Sequence, residues 1–405
     1  MPAVKVLHVI NQLSAAAGAE TSLRNLIQES NSNRIQHAVV VLRAQDQTPP
    51  ELDARGVPII RPDNPLSGRA AMVRHSAAAI RLMRPDIVHT TLFDADLAGR
   101  VAAKWLGVPV LTSLVNTPYG TEARSAEPVS ATKLRLVRLA DGVLARHATT
   151  AFHAISNAVA DHAVRHLHVG RELIRVVPRG RSASALGVRT TERRRRVREA
   201  MNWGSKPVVI NVARQEPQKG HLQLADAMAV VLSTLPDALL VLVGREGRST
   251  PALRERITEL GIGDSVIYLG IRDDVPDLLS AADVFAFSSL YEGLGGAVVE
   301  AAGLGLPVVS YDVPAVREIL GDDHPWLTPL GDIPALACGI IQVLRGAPRV
   351  DSTIKTERAR FLARYELAAC VEGMTSLYQD LAEATSGRRG RFGRTGTVPV
   401  GGVRG

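Results

Sequence analysis

The strongest constraint on this chain is a rhythm. Apolar runs of four to seven residues recur between longer stretches whose apolar positions return at helical spacing. That is the sequence form of repeated β-α-β units and a parallel sheet. In the first half the expected strands are residues 5–10, 36–42, 57–60, 86–90, 108–113, 151–156 and 174–178, with helices between them, for example over 19–30 and 94–106. The rhythm breaks in an arginine-rich stretch and resumes at 207–213, 238–244, 265–270, 283–289 and 306–311. Two doubly wound α/β domains are the economical reading, and 405 residues suit it at roughly 100–200 residues per domain. The expected division is a first domain over 1–181, a linker over 182–205 and a second domain over 206–354. A helix over 355–385 is expected to pack back across the junction, and a basic tail over 386–405 to be disordered.

The formal charge of +8 suggests a nucleic-acid or membrane partner until it is located. Residues 181–198 hold seven arginines against Glu192, and residues 387–405 hold five with no acid, so the rest of the chain is net negative. Charged linkers and tails fit that pattern better than a basic binding face, and no nucleic-acid partner is expected. No run approaches the length of a transmembrane helix. The first residues, "MPAVKVLHVI", read as a buried strand rather than a signal peptide, so residence in the cytoplasm is expected. Cys338 and Cys370 lack the spacing of a metal site or a disulfide framework.

In open parallel sheets ligands bind beyond the carboxyl ends of strands. After the strand at 207–213 come Arg214 and, five residues on, Lys219, just before a helix opening near His221. Two cations beside a helix start make a site for phosphate oxygens. In the first half, Gly18 opens a helix with Glu20 in its first turn, where a backbone amide can meet phosphate.

The stretch "YEGLGGAVVEA" at 291–301 sets Glu292 and Glu300 eight positions apart around three glycines. On one helix that separation is about 12 Å of rise and about 80° beyond two rotations, so the two do not form an adjacent pair. Glu292 with Gly293–Gly296 is better read as a loop closing the strand at 283–289, with Glu300 about a turn inside the next helix. Loop amides then face an anion while the carboxylates accept from hydroxyls. A nucleotide sugar carries both features.

"VARQEPQKG", "LLVLVGREG" and "SVIYLGIRDDVPDLLSAADVFAFSSLYEGLGGAVVEAAGLGLPVVSYDVPAVREIL" resemble, segment by segment, the donor domain of the retaining glycosyltransferases of family 4. The first half is similar through "GAETSLRNL", "DIVHTTLFDADLAGRVAAKWLGVPV" and "AFHAISNAV". The resemblance implies a GT-B fold, two Rossmann-like domains facing across a cleft, the first on the acceptor side and the second holding the donor. It implies a metal-independent enzyme with no cofactor besides the nucleotide diphosphate sugar it consumes. Arg214 and Lys219 would hold the diphosphate, Glu292 would lie near the transferred sugar with the amides of Gly293, Leu294 and Gly295, and Glu300 would accept from the ribose. The loops at Gly244 and at Ile271 and Arg272 would flank the nucleoside, and Gly18 would meet the diphosphate from the first domain. The acceptor would be a glycan, a lipid-linked glycan or a small molecule.

There are departures as well. Where the family often places a histidine near the acceptor, this chain has Leu114, Val115 and Asn116. Asn116 and His89, the latter expected at a strand end facing the cleft, are the acceptor-side candidates. The competing readings are a nucleotide-sugar-binding scaffold without transfer, and an epimerase or hydrolase of the same fold. Asp94 and Asp96 read as helix caps, and His162, His166 and His168 as solvated surface. The stretch 131–148 mixes Lys133, Arg135, Arg138 and Arg146 with leucines and valines at helical spacing. It suits either peripheral contact with anionic lipid or an ordinary domain helix with its charged face in water.

Overall fold

The computed structural model describes residues 2–13, 18–43, 49–120, 130–348 and 350–386, divided into two compact units. The expected disordered tail lies outside the described residues from 387 onward.

The first unit comprises Met1–Val115, Ser130–Pro178 and the chain from Ala368. Its sheet contains β1 (Val4–Ile10), β2 (Ile35–Val41), β3 (Ile59–Ile60), β4 (Ile87–Thr91), β5 (Val110–Leu114), β6 (Ala151–Ala154) and β7 (Ile174–Val176), in the order β3-β2-β1-β4-β5-β6-β7. Every neighbouring pair is parallel, for example Val4↔Ile35 through Ile10↔Val41. Strands buried on both faces need apolar residues at every position, which is why they read as runs rather than alternations. The helix Phe93–Leu106 lies against this sheet through Ala95, Ala98 and Ala102, and a side chain on Gly99 would run into Thr90.

The second unit comprises Asn116–Val129 and Arg179–Leu367. Its sheet contains β8 (Val208–Val212), β9 (Leu239–Val243), β10 (Val266–Gly270), β11 (Val284–Phe287), β12 (Val308–Tyr311) and β13 (Leu327–Thr328), in the order β10-β9-β8-β11-β12-β13. All pairs are again parallel. The last of these strands, two residues long, has no counterpart among the expected ones.

Two expectations about connections are corrected. Residues 182–205, read as a linker, form the helices Ala183–Leu186 and Thr191–Ala200, with Trp203 buried behind them. Arg189, Arg194 and Arg198 donate to the carbonyls of Ser280, Ala281 and Ala282, and Arg193 pairs with Asp277. These carbonyls end the helix Val275–Ala281, where no intrahelical donor reaches them, and a guanidinium supplies several N–H groups at once. The single helix expected over 355–385 is two helices, Val350–Arg364 and Leu367–Ser386. The break is held by Arg181, whose N–H donates to the Tyr365 carbonyl (2.8 Å) and whose carbonyl accepts from Leu367 (3.1 Å). The second helix places Met374, Leu377, Tyr378 and Leu381 in the core of the first unit.

Candidate active site

In each sheet the strand order reverses beside the first strand of the unit, between β1 and β4 and between β8 and β11. Loops leaving the carboxyl ends of two such strands diverge to opposite sides and leave a crevice. In the second unit those loops carry the residues picked from the sequence.

The loop after β8 places Arg214 in solvent, with no acidic partner among the described residues. A 3-10 turn, Pro217–Lys219, then leads into the helix His221–Thr234. The loop after β11 runs antiparallel to this turn and is laced to it. Leu290 N–H donates to the Gln218 carbonyl (2.8 Å), the Gln218 amide to the Tyr291 carbonyl (2.7 Å), and Ser288 Oγ to the Lys219 carbonyl (2.9 Å). The lacing brings Lys219 Nζ to 2.5 Å from Glu292 Oε1, with Glu292 8% exposed and the ammonium 5.9 Å above the Phe287 ring. Buried charges need partners, and here each charge is the other's. His221, one residue past the turn, is pushed down to about 4 by burial and secondarily by Lys219, so it stays neutral at physiological pH.

Glu292 ends in the glycine turn that opens the helix Gly296–Leu304. Gly295 stands at φ 91°, a left-handed conformation that side chains resist, and Leu294 beside it is buried. Glu300 falls about one turn inside that helix, as expected. It is not a bare carboxylate, since Arg181 Nε donates to its Oε1 at 2.6 Å. In the sequence Arg181 is only one of the seven arginines of 181–198, at the end of the expected first domain. The two residues are 119 positions apart, and no local pattern links them.

The loops after β9 and β10 adjoin each other, with Gly244 N–H donating to the Gly270 carbonyl (2.7 Å). Gly244 has φ 139°, and a side chain there would strike the Ala213 carbonyl, so the tight turn admits glycine alone. Ile271 is 63% exposed, an unusual exposure for isoleucine at a sheet mouth. The Arg272 guanidinium is gripped by both oxygens of Asp274, at 2.6 and 2.8 Å.

The candidates outside this cluster fare differently. Gly18 lies in the first unit, exposed, as the first residue of the helix Gly18–Glu29. His89 does not sit at an open strand end. It is 3% exposed, with Nδ1 2.8 Å from Tyr378 Oη and Nε2 2.7 Å from Ser113 Oγ, so both ring nitrogens are committed to the fold. Asn116 is exposed, is grouped with the second unit, and turns its Oδ1 to its neighbour's N–H (2.9 Å). Asp94 and Asp96 lie in the first turn of the helix Phe93–Leu106 but do not cap it, the N-cap position being Leu92 with no side-chain capping bond. Burial instead raises Asp96 to about 7 against the pull of Arg100 and Thr90. His162 is buried beside His166 rather than solvated. No group of three or more His, Cys, Asp or Glu among the described residues is arranged to hold a metal ion.

The comparisons with known proteins agree with this architecture. Residues 193–360 match the family described as Glycosyl transferases group 1, and residues 17–180 the Glycosyl transferase 4-like domain. The chain is 30% identical over 308 residues to the 2-deoxystreptamine N-acetyl-D-glucosaminyltransferase of Streptomyces fradiae, covering 73% of this chain and 71% of the relative.

This chain is a group 1 glycosyl transferase.

The glycosyltransferase has the GT-B fold and transfers a sugar from a nucleotide diphosphate sugar to an acceptor. It is also 26% identical over 300 residues to an alpha-1,3-galactosyltransferase of Escherichia coli named for UDP-Gal and alpha-D-GlcNAc-diphosphoundecaprenol, covering 73% of this chain and 76% of that one. Among solved structures, Anabaena HepE in complex with UDP and glucose superposes with a TM-score of 0.78 at 21% identity, over 93% of this chain and all of that one. Sucrose-phosphate synthase from Thermosynechococcus elongatus superposes with a TM-score of 0.77 at 20% identity, over 94% and 100%.

Proposed function

We propose that the second unit of this glycosyltransferase binds the donor at the crevice between β8 and β11, and that transfer is retaining and independent of metal. Arg214 and Lys219 hold the diphosphate and offset the charge that grows on it as the sugar leaves, an electrostatic role that commonly dominates such catalysis. Glu292 faces the transferred sugar with the amides of Gly293, Leu294 and Gly295, and Glu300 takes the ribose. The loops at Gly244, Ile271 and Arg272 flank the base. The observation that carries this reading is the Lys219–Glu292 pair, set at the crevice by two laced loops, with Arg214 in solvent on the loop after β8 and no acidic partner for it among the described residues.

The base is proposed as uracil, because the Escherichia coli relative is named for UDP-Gal and HepE is in complex with UDP. Calorimetric titration with UDP and GDP checks it. Arg214→Ala and Lys219→Ala should each weaken UDP binding or turnover roughly 10- to 100-fold, since a hydrogen bond to a charged group contributes about 1.5–3 kcal/mol. Arg214 makes no ion pair among the described residues, so its variant should melt like the parent. Unchanged binding and kinetics in both variants would count against the assignment.

We propose a lipid-linked acceptor at the cytoplasmic face of a membrane. No helix among the described residues is long and apolar enough to cross one. The helix Ala131–Ala148, however, exposes Leu136 (63%), Leu139 (62%) and Val143 (42%) along one face, next to Arg135 and Arg138. An apolar stripe beside guanidinium groups suits an anionic bilayer surface. Sedimentation with phosphatidylglycerol vesicles should pull the enzyme down, and Leu136→Glu with Leu139→Glu should release it. Retention of the double variant, or transfer to free 2-deoxystreptamine in preference to a lipid-linked sugar, would favour a small soluble acceptor.

A further inference from the structure

Arg181 belongs to the second unit, just past the turn that leaves β7. Its backbone is fixed on both sides by the bridge to Glu366, so the side chain leaves from a rigid point. The guanidinium spends Nε on Glu300 Oε1 (2.6 Å) and Nη1 on the Gly180 carbonyl (3.1 Å). Its Nη2 lies over Gly296, so close that a Cβ at that position would collide with it. Among the described residues nothing accepts from Nη2. The pair is also not sealed away, since the two side chains are each 21% exposed.

Three consequences follow from this placement. Glu300 Oε1 is already occupied, which leaves Oε2 to accept a hydroxyl. The residue at 296 has to be glycine for the guanidinium to lie there at all. And a third positive group stands between Gly296, which ends the glycine turn, and the carboxylate at 300. The part of a nucleotide sugar that joins ribose to diphosphate is the phosphate bearing the ribose, and it is anionic.

We propose that Arg181 is a donor-binding residue, its Nη2 donating to the ribose-bearing phosphate while its Nε holds Glu300 oriented toward the ribose. This rests on the donor-site reading above. In it, Arg181 gives a planar two-sided link between the carboxylate and the phosphate that a lysine point charge cannot reproduce. Glu300 neutralises the guanidinium when no donor is present, so that Arg181 costs little to keep half-buried in the empty site.

The test compares UDP with uridine, by calorimetry for the first and ligand-observed NMR titration for the weaker second, on the full chain. Arg181→Ala should weaken UDP about tenfold or more and leave uridine within about twofold. Arg181→Lys should recover part of the UDP loss. Uridine falling in step with UDP would mean that Arg181 merely steadies Glu300, and UDP binding unchanged would remove Arg181 from the site; either result overturns the proposal. Should Arg181→Ala melt early, Arg181→Lys and Arg181→Gln carry the comparison, with UDP affinity ordered Lys above Gln if the charge contacts phosphate and equal if it does not. A parent enzyme that binds UDP, loses it in Arg214→Ala and keeps it in Arg181→Ala sinks this inference alone. A parent that binds neither UDP nor GDP sinks the donor-site reading itself.

Discussion

Set beside each other, the two units bury different things in the same topology. The central strands of the second sheet hide Ile210, Val241, Phe285 and Val309, and keep Arg214, Lys219 and Glu292 in loops beyond their carboxyl ends. The first sheet buries His8 and His89 on adjacent strands, with His37 beyond one and Ser113 and His153 beyond the other, and Tyr378 of the helix Leu367–Ser386 lies over the row. Charge placed outside the sheet is free to meet a ligand. Polar groups placed inside it pair with one another, His89 through both ring nitrogens and His8 with His37 through one each, and are then committed to the fold.

Acid should break that comparison most forcefully. Burial, and then Arg55, hold His37 down to about 4, while burial with His37 and His89 holds His8 well below its ordinary value. His162 is held to about 3 by burial, His166 and Arg165. The unfolded chain takes up protons on these rings near pH 6.5, roughly the ordinary value for histidine, whereas the folded chain does not until far lower. Their contribution to stability is therefore complete above about pH 6.5 and is lost as the pH falls toward about 4. Asp96, raised to about 7, works in the opposite direction, its contribution being lost as pH rises toward that value. Glu357, raised by burial, works as Asp96 does, and four lowered histidines, His221 of the second unit included, outnumber the two carboxyls, which predicts a net fall on acidification. Thermal melting between pH 7.5 and 4.5 should show a steep decline below about 6.5, shallower in His37→Gln. A flat profile in the parent would mean that the imidazole row titrates freely and is no part of the folded framework.

The same contrast separates what could be read in the sequence from what could not. Parallel strands buried on both faces announce themselves as apolar runs, so twelve of the thirteen strands fall where the rhythm puts them; β13 is too short to have a period. Lys219, Glu292 and the glycine turn were legible because loops at strand ends carry local chemistry at short spacing. Arg189, Arg194 and Arg198 look like linker charge in the sequence, since the carbonyls they satisfy lie more than 80 residues away. The partner of Arg181 is hidden for the same reason. His89 looks like a strand-end group because a single strand does not show which side chains its neighbours bring alongside, and the polar row exists only across strands.

A smaller effect sharpens the comparison by asking whether the row is a connected chain. His153 Nε2 lies 2.8 Å from the Val177 carbonyl, which can only accept, so the imidazole must donate there. A neutral imidazole that donates at Nε2 accepts at Nδ1, and Ser113 Oγ then donates to it across 2.8 Å. With its one proton spent, Ser113 accepts from His89 Nε2, and His89 Nδ1 accepts from Tyr378 Oη, whose phenol burial keeps firmly protonated. The last carbonyl thus fixes every tautomer back to Tyr378. Tyr378→Phe removes the donor at the head of this chain, and His89 cannot compensate by switching tautomer without breaking the bond to Ser113. The expected cost is about 1–2 kcal/mol, read as a melting point lower by roughly 2–8 °C. Turnover per folded molecule should be unchanged, because the row lies inside the first unit and Lys219 and Glu292 belong to the second. A variant that melts like the parent would show His89 indifferent to its partner, and the buried row would then be a set of separate pairs rather than one directed chain.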